Sequence, residues 1–250
     1  MSVVTRKSTS EIDLMRRAGA IVAEVLALVE SELRVGVSTA HLDEIAERHI
    51  RDSGATPSFK GYYDYPASIC VSVDDEVVHG IPGQRTIRAG QVVSIDAGAI
   101  WQGYHGDAAR SFIVGEAPAR VQRLVADTRL GLIAGIGAAR PGAHIGDISA
   151  AVEAVAVPQG YGVVRHYVGH GIGTRMHEAP QVPNYATPQR GMKLVPGICL
   201  AIEPMFTLGT WECLVRPDGW TVVTADGSLA AHFEHTIAIT EDGAEILTTV

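Results

Sequence analysis

The sequence has 250 residues, of which 46% are hydrophobic and 19% are charged. This length suits one large domain with a sizeable core, and a net charge of −8 gives no support to nucleic-acid binding through bulk electrostatics. Three cysteines without CxxC spacing argue against a disulfide framework or a zinc cluster, and they predict reduced thiols in a cytoplasmic protein.

The first predicted element is an amphipathic helix. Ser8 and Glu11 have the spacing of a capping box. Apolar residues then recur at three- and four-residue steps, as one buried helix face requires: Ile12, Met15, Ala18, Val22, Val25, Leu26 and Val29. Arg16 and Arg17 precede an apolar run that superficially resembles a signal peptide, but Glu24 interrupts it and the run is too short to span a bilayer. We therefore expect a soluble protein without a membrane partner.

The remaining elements alternate between helical pairs and strands. A shorter helix, VSTAHLDEIAERHI, follows Gly36, and an aromatic loop occupies residues 55–67. Strands SICVSV and VVSIDAGA come next. A second helical pair begins near Pro118 in a first-turn position, is divided at Gly142 and runs to Pro158. The C-terminal part is strand-like throughout: YGVVRHYVG, GICLAIE, WTVVTAD, AAHFEHTIAIT and AEILTTV.

This order of elements predicts an internal duplication. Gly36 corresponds to Gly142, and AGQVVSID at 89–96 corresponds to PGICLAIE at 196–203, with offsets of 106 and 107 residues. The HGI motif at 79–81 recurs at 170–172 with an offset of only 91, which requires loops of unequal length. We expect one catalytic domain over residues 1–250, with a repeat of about 8–115 and 117–240.

The segment VVSIDAGAIWQGYHGDAARSFIV at 92–114 predicts a hairpin with two acidic residues. If the turn is centred between Trp101 and Gln102, the numbers of paired residues sum to 203, and Asp96 lies directly opposite Asp107. Opposed side chains share a face with Cβ atoms about 4.5–5.5 Å apart, and like charges so placed are destabilising. Either residue alone is explained by a turn or a strand end. The pair together predicts a bound divalent cation.

Further candidate ligands lie in the C-terminal part. Glu203 ends an apolar strand, where an unpaired charge is costly, and His170 lies among glycines in GHGIG. Glu234 is also explained by a solvent-facing strand. HEAPQ at 177–181 lacks the second histidine of HExxH, which rejects the zincin arrangement. Four carboxylates and one imidazole suit two ions of Mn²⁺, Fe²⁺, Co²⁺ or Zn²⁺.

With these residues in view, the chain resembles the type I methionine aminopeptidases of the pita-bread fold. The motifs that carry the resemblance span nearly the whole chain: SFKGYYDYPASICVSV, VVHGIPG, VVSIDAGAIWQGYHGDAARSF, GHGIG, MHEAPQVPNY, AIEPM and HFEHTIAIT. The resemblance implies an α/β fold of two halves related by a pseudo-twofold axis, with a curved antiparallel sheet covered by helices.

The resemblance also implies a role for each site residue. The dinuclear metal ligands are Asp96, Asp107, His170, Glu203 and Glu234, of which Asp107 and Glu234 bridge two divalent ions (Co, Mn, Fe(II), Zn or Ni). His79 and His177 contact the scissile amide, and Glu203 is the proton shuttle. The methionine pocket is implied to contain Phe59, Tyr62, Tyr65, Cys70, Met176 and Trp220. Backbone carbonyls near Asp74, where the family usually has asparagine, are implied to hold a monovalent cation.

The implied activity is hydrolysis of the first peptide bond of nascent polypeptides whose second residue is small, by a metal-bridging hydroxide. The implied setting is the cytoplasm, with the ribosome as a partner and a monomeric enzyme. Two alternatives stay open. One is an Xaa-Pro peptidase of the same fold, which usually carries an additional N-terminal domain. The other is a non-catalytic protein that binds partners through the same cleft.

Overall fold

The computed structural model describes residues 4–249, which contain four α-helices and fifteen β-strands. The helices are α1 (Thr9–Glu32), α2 (Thr39–Asp52), α3 (Ala119–Ala138) and α4 (Ile145–Ala156). The strands are β1 (Thr56–Pro57), β2 (Ile69–Val73), β3 (Glu76–Val78), β4 (Val92–Trp101), β5 (Tyr104–Ile113), β6 (Gly162–Val163), β7 (Gly169–Gly171), β8 (Glu178–Val182), β9 (Cys199–Ile202), β10 (Met205–Thr207), β11 (Cys213–Val215), β12 (Val222–Thr224), β13 (Ala230–His232), β14 (Glu234–Ile239) and β15 (Ala244–Ile246). Short 3₁₀ turns occupy Tyr62–Asp64 and Val157–Gln159.

A nine-stranded antiparallel sheet forms the centre of the molecule. Its main order is β1-β4-β5-β14-β9-β7-β8, with β2 paired to β4 and β15 paired to β14. Alternate residues of β4 point to opposite faces. Val93, Ile95 and Ala97 pack with the apolar face of α1 in one core cluster. Asp96 therefore points away from the helices, into the face that carries the acidic residues.

The β4–β5 hairpin has a different register from the one that the sequence predicts. Trp101 pairs with Tyr104, so paired residues sum to 205, and the turn consists of Gln102 and Gly103. Both turn residues have positive φ, +48° and +86°, as a two-residue type I′ turn requires. Glycine adopts this conformation at little cost and tryptophan does not. The direct opposition of Asp96 and Asp107 is therefore wrong.

The corrected register still places the two carboxylates on one face. Asp96 pairs with Ala109, and Asp107 pairs with Gly98. Because side chains alternate with a period of two, the aspartates are diagonal neighbours across the strand pair. A Cβ atom on Gly98 would lie 2.8 Å from Phe59 and from Ser58, so this strand position has no room for a side chain.

The predicted capping box of α1 is confirmed. The Ser8 side chain accepts from the backbone N–H of Glu11, and the Glu11 carboxylate accepts from the backbone N–H of Ser8. The first helix ends at Glu32, ahead of Gly36, and α3 begins at Ala119 with Pro118 as its N-cap rather than in its first turn. Neither α1 nor any other helix among the described residues is both long and apolar enough to cross a bilayer.

Two predicted strands are interrupted. YGVVRHYVG contains only β6 and the first residue of β7, because the chain between them leaves the sheet. AAHFEHTIAIT is divided at Phe233, so that β13 pairs with β10 in a separate sheet while β14 joins the central one. The predicted C-terminal strand is reduced to β15, and its last residue, Val250, lies outside the described residues.

Equivalent hydrogen bonds occur in the two predicted repeats. Gly36 and Gly142 have φ of +87° and +88°, and their backbone N–H groups donate to Ile87 and Leu194 at 2.8 and 2.9 Å. Both glycines occupy the left-handed region that disfavours other residues. The internal repeat stays a prediction, which these matched contacts favour.

Candidate metal centre and peptide cleft

The predicted metal ligands come from neighbouring strands of the central sheet. In the sheet order β4, β5, β14, β9 and β7, each strand supplies one of these residues. In the same order they are Asp96, Asp107, Glu234, Glu203 and His170, and Glu203 directly follows the last residue of β9. All of them line one cavity of about 410 Å³. The sheet thus brings together residues that are up to 138 positions apart in the chain, from Asp96 to Glu234.

Three of these residues form the tightest group. Asp107, His170 and Glu234 each offer a ligand atom within 4.8 Å of the others, and all three are buried. His170 Nε2 also lies 3.6 Å from a carboxylate oxygen of Glu203, while its Nδ1 atom bonds the carbonyl of Gly171 at 2.9 Å. That bond orients the ring with Nε2 toward the carboxylates, an arrangement common in metal-binding histidines.

The donor set fits a divalent cation. Oxygen atoms of Asp96, Asp107 and Glu234 are buried without a hydrogen-bond partner among the described residues. A buried carboxylate without a partner is costly, and a bound cation supplies the missing interaction. Carboxylates with one imidazole are ligands for first-row divalent ions. The site chemistry therefore favours a metal over a purely structural polar cluster.

The pKa values of these groups reflect burial and mutual repulsion. Burial raises the pKa of Asp96 to about 7, and burial with the charge of Asp96 raises the pKa of Glu203 to about 8. Burial and the neighbouring carboxylates also raise the pKa of Asp107 and of Glu234 well above the ordinary range. Without a cation the cluster retains protons, so metal binding must release them.

Two further histidines flank the carboxylates. The His177 ring lies 4.3 Å from the His170 ring, measured between centroids, and its Nδ1 is 2.9 Å from the hydroxyl oxygen of Tyr62. His79 has φ of +61°, in the left-handed region. Burial lowers the pKa of both rings, that of His79 to about 4 with a contribution from His177. Both are neutral near pH 7 and can act as hydrogen-bond donors.

An apolar pocket adjoins the acidic cluster within the same cavity. Phe59, Tyr65, Cys70 and Met176 form a buried cluster, against which Tyr62 and Trp220 pack. The rings of Tyr65 and Trp220 meet edge to face at 5.0 Å. Burial raises the pKa of the Cys70 thiol well above its usual value, so this side chain is an apolar wall rather than a nucleophile. The structure thus brings together every predicted pocket residue.

The sequence interpretation missed several neighbours of the site. Tyr63 lines the cavity although 78% of its surface is exposed. The only sequence signal for it is its place in the aromatic loop at residues 55–67. His105 is buried and bonds Ser58 at 3.0 Å, and its position two residues before Asp107 was the available signal. His232 is buried beside Glu234. Glu234 itself is 2% exposed, so the solvent-facing alternative for this residue is wrong.

The region proposed for a monovalent cation is formed by ordinary contacts of Asp74. Its carboxylate accepts from Gln91 Nε2 at 2.7 Å and from the backbone N–H of Val92 at 3.1 Å. Its carbonyl accepts from the backbone N–H of Ala230 at 2.9 Å. These bonds explain how aspartate occupies a position with φ of +64°, since short polar side chains tolerate this region. The cation stays a prediction.

Comparison with known proteins identifies the family. The model of metallopeptidase family M24 matches residues 13–241. The chain belongs to this family. Methionine aminopeptidase from Clostridium acetobutylicum is 50% identical over 243 residues, covering 97% of each chain. Methionine aminopeptidase 1 from Bacillus subtilis is 48% identical over 244 residues, covering 98% of each. Membership of M24 implies a divalent metal cofactor.

Solved structures place the M24 chain in the pita-bread fold. Methionine aminopeptidase from Thermotoga maritima superposes with a TM-score of 0.97 at 44% identity, covering 99% of this chain and 100% of that one. The prolidase from Pyrococcus furiosus has a TM-score of 0.81 at 22% identity, covering 98% of this chain and 65% of that one. The second likeness concerns the fold alone.

Proposed function

We propose that this M24 chain is a methionyl aminopeptidase that removes the N-terminal methionine from polypeptides whose second residue is small. One observation carries the proposal. A single cavity joins an apolar pocket, sized and shaped by aromatic side chains, to a buried carboxylate cluster. A thioether side chain fits such an irregular aromatic pocket well, and the name shared by the relatives described above supports the same substrate.

Two divalent ions are proposed to occupy the cluster, because four carboxylates offset two charges of +2. Asp96, Asp107, His170, Glu203 and Glu234 would hold these ions, with Asp107 and Glu234 as the ligands that the resemblance implies are shared between them. The ions, when bound, lower the pKa of a water molecule and polarise the substrate carbonyl. Their identity among Co, Mn, Fe(II), Zn and Ni is left to metal analysis, since ligand type does not separate them.

The chain's own groups are proposed to bind and reorganise the peptide. Glu203 takes a proton from the attacking water and passes it to the departing amide nitrogen, as the bond from that nitrogen to the carbonyl carbon breaks. His177 donates a hydrogen bond to the carbonyl oxygen while negative charge develops there. His79 lies near the scissile nitrogen. The low pKa of both histidines supports these roles for neutral rings.

The cellular setting follows from the substrate. We propose that the enzyme acts on the N-termini of nascent polypeptides in the cytoplasm, near or on the ribosome, as a monomer. The acidic net charge of −8 supports docking through protein rather than nucleic acid.

Hydrolysis of Met-Ala-Ser tests this function. The metal-free protein is supplied with one metal at a time from the five candidates, and cleavage is compared with that of Gly-Pro peptides. N-acetyl-Met-Ala-Ser is the matched control, since a blocked amine removes the feature that defines an aminopeptidase. We expect cleavage of Met-Ala-Ser alone, its loss with chelator and its return with metal.

The other outcomes identify the alternatives. Preferential cleavage of the Gly-Pro peptide would assign the chain to the Xaa-Pro peptidases. Cleavage of the acetylated peptide at the same rate would show that a free α-amino group is not required, and the chain would then not be an aminopeptidase. Binding of peptides without cleavage, with stoichiometric metal present, would favour a non-catalytic protein that uses the cleft as a docking site.

A further inference from the structure

The N-terminal arm, residues 5–7, contacts the segment that carries His177. Lys7 Nζ lies 2.7 Å from Glu178 Oε2, and the two side chains are 5% and 3% exposed. The Thr5 hydroxyl donates to the same carboxylate oxygen at 2.8 Å and accepts from Lys7 Nζ at 2.6 Å. Glu178 is therefore held by two side chains that are more than 170 residues away in the sequence.

The arm itself is fixed to the central sheet. The backbone N–H of Lys7 donates to the carbonyl of Gly197 at 2.7 Å, and Arg6 Nε donates to the carbonyl of Pro196 at 2.9 Å. A Cβ atom on Gly197 would lie 2.8 Å from the Lys7 carbonyl oxygen, so glycine is what permits this approach. The arm provides a firm attachment point beside the strand that precedes Glu203.

The segment on the other side of the ion pair, residues 172–177, belongs to no helix or strand. Glu178 Oε1 accepts from the backbone N–H of Arg175 at 3.2 Å, and the Gly173 carbonyl accepts from the backbone N–H of His105 at 2.8 Å. A Cβ atom on Gly173 would lie 2.4 Å from Lys7 Cε. The Lys7 stem therefore packs directly on the backbone of this segment.

A buried ion pair is a poor source of stability, because desolvation of both charges offsets most of their attraction. Such pairs are best attested where they fix one arrangement among several. Burial alone raises the pKa of Glu178, but hydrogen bonds from Lys7, Thr5 and the Arg175 backbone outweigh it, and the pKa is lowered overall. The Glu178 carboxylate is thus charged at neutral pH, and it lies immediately beside His177 and two residues from Met176.

We propose that Lys7 and Glu178 are positioning residues, which hold the loop between β7 and β8 so that His177 and Met176 face the substrate. The N-terminal arm thereby supports the active site, in addition to attaching the start of the chain to the sheet. The inference rests on the proposed peptidase function, because it assigns the pair an effect exerted through His177.

The paired variant Lys7→Met/Glu178→Gln tests the proposal, since it removes both charges without leaving either one buried alone. Met-Ala-Ser hydrolysis and bound metal are measured in two backgrounds, wild type and His177→Ala. In the wild-type background we expect kcat to fall about tenfold, a part of the roughly 10²–10³-fold that one hydrogen-bond donor to an oxyanion supplies. In the His177→Ala background the same pair should change kcat less than about twofold, because coupled residues are not additive. Metal content should stay unchanged throughout.

Equal reductions in both backgrounds would overturn the proposal, because a general loss of structure does not depend on His177. No reduction in either background would overturn it equally. The matched control is Arg190→Met/Asp147→Asn, which removes an exposed ion pair of 2.8 Å outside the cleft and should leave kcat unchanged. If the paired variant does not fold, Thr5→Val removes one hydrogen bond to Glu178 and one from Lys7, and it should give a smaller reduction with the same dependence on His177.

Hydrogen exchange separates this inference from the proposed function. If the wild-type protein cleaves no peptide with any of the metals, the proposed peptidase function is wrong. Hydrogen exchange then tests, without any activity, whether Lys7 and Glu178 anchor residues 172–178. Amides of residues 172–178 should exchange at least about tenfold faster in the paired variant, while those of α3 stay unchanged. Unchanged exchange in residues 172–178 would overturn the anchoring itself.

Discussion

The hydroxyl oxygen of Tyr62 lies 2.9 Å from Nδ1 of His177, with the two rings stacked at 5.5 Å between centroids. Burial lowers the pKa of His177, so the ring is neutral at pH 7. A neutral imidazole that accepts at Nδ1 carries its proton on Nε2. With the Tyr62 hydroxyl as the donor of this bond, His177 is held in the tautomer that can donate from Nε2 to a substrate oxygen.

Replacing Tyr62 with phenylalanine should keep the pocket wall and remove this hydrogen bond. We expect kcat for Met-Ala-Ser to fall about three- to tenfold, in line with the net contribution of one hydrogen bond of about 0.5–1.5 kcal/mol. Tyr161→Phe is the matched control, because that hydroxyl bonds Asp127 outside the cleft. An unchanged kcat in Tyr62→Phe would show that the Tyr62 hydroxyl does not orient His177.

Asp107→Ala and Glu234→Ala should each abolish peptide hydrolysis, because each removes a proposed bridging ligand. Bound metal, measured on protein dialysed against the ion, should fall in both variants. The metal-free variants should be about as thermostable as the metal-free wild type, because each deletion removes a buried polar group with an unpartnered oxygen, which offsets the lost packing. Asp52→Ala, at an exposed carboxylate, should leave activity and metal content unchanged. Near-normal turnover by either cluster variant at saturating metal would contradict the two-metal assignment.

The elements that the sequence predicts well are those governed by local pattern. Met15, Val22, Val25 and Val29 recur at helical spacing, and all are fully buried. The capping box at Ser8 is equally local, because its bonds join residues three apart. Periodicity and capping depend on neighbours along the chain, so no tertiary information is needed to find them.

Register and long-range contacts are less accessible from sequence. A one-residue shift of the turn around Gln102 moves every pair in the β4–β5 hairpin, and the sequence alone does not reveal which residues take positive φ. The Lys7–Glu178 pair joins residues 171 positions apart and has no sequence pattern. The five ligands that the sequence predicts lie around one cavity, and their common location follows from the sheet order, which the sequence alone does not give.

His79→Ala should lower kcat by about 10²-fold, the lower end of the contribution of a positioned acid–base group, while bound metal stays unchanged. Alanine is strained at the φ of +61° observed for this residue. His79→Asn is therefore measured beside it, because asparagine tolerates the left-handed region. Equal losses in both variants would assign the effect to the imidazole. A fall in metal stoichiometry would instead make His79 a ligand.

Glu11 should stabilise the protein in a pH-dependent manner. Tyr104 donates to its carboxylate at 2.6 Å, and Ser8 donates from its backbone and hydroxyl at 2.7 Å. The hydrogen bond from Tyr104, followed by those from Ser8, lowers the pKa of Glu11 to about 2. A folded-state pKa below the unfolded one gives stability that is present above about pH 4.5 and lost as the pH falls toward 2.

Glu11→Gln should accordingly lower the free energy of unfolding by about 1 kcal/mol at pH 7, the usual magnitude for a helix cap. The difference from wild type should shrink below pH 4.5 in urea titrations of the metal-free protein. Glu32→Gln, at the exposed opposite end of the same helix, should have little effect at any pH. A wild-type advantage that stays constant down to pH 2 would contradict the assigned linkage.

Selectivity for the first residue should come from the apolar pocket. Phe59, Tyr65, Cys70 and Met176 present a buried wall without a charged group, which suits an unbranched side chain. A change of one methylene-sized group in such a pocket alters binding by only about 1–3 kcal/mol. In peptides of the form X-Ala-Ser, norleucine should remain a usable substrate, while branched leucine should be poor. Equal rates for methionine and leucine would show that the pocket does not discriminate between unbranched and branched side chains.

Selectivity for the second residue should be separable, because the two histidines proposed to contact the scissile bond are not part of the apolar pocket wall. His177 lies against His170 at 4.3 Å between ring centroids, and His79 packs edge to face on Trp220 at 6.2 Å. We expect the convergence of these rings to exclude a large side chain at the second position. In the series Met-X-Ser, with X as Gly, Ala, Val, Leu and Lys, kcat/KM should fall steeply beyond Ala and be lowest for Leu and Lys. Cleavage of Met-Lys-Ser as fast as Met-Ala-Ser would mean that the cleft does not measure the second residue, and the proposed restriction to small second residues would then be wrong.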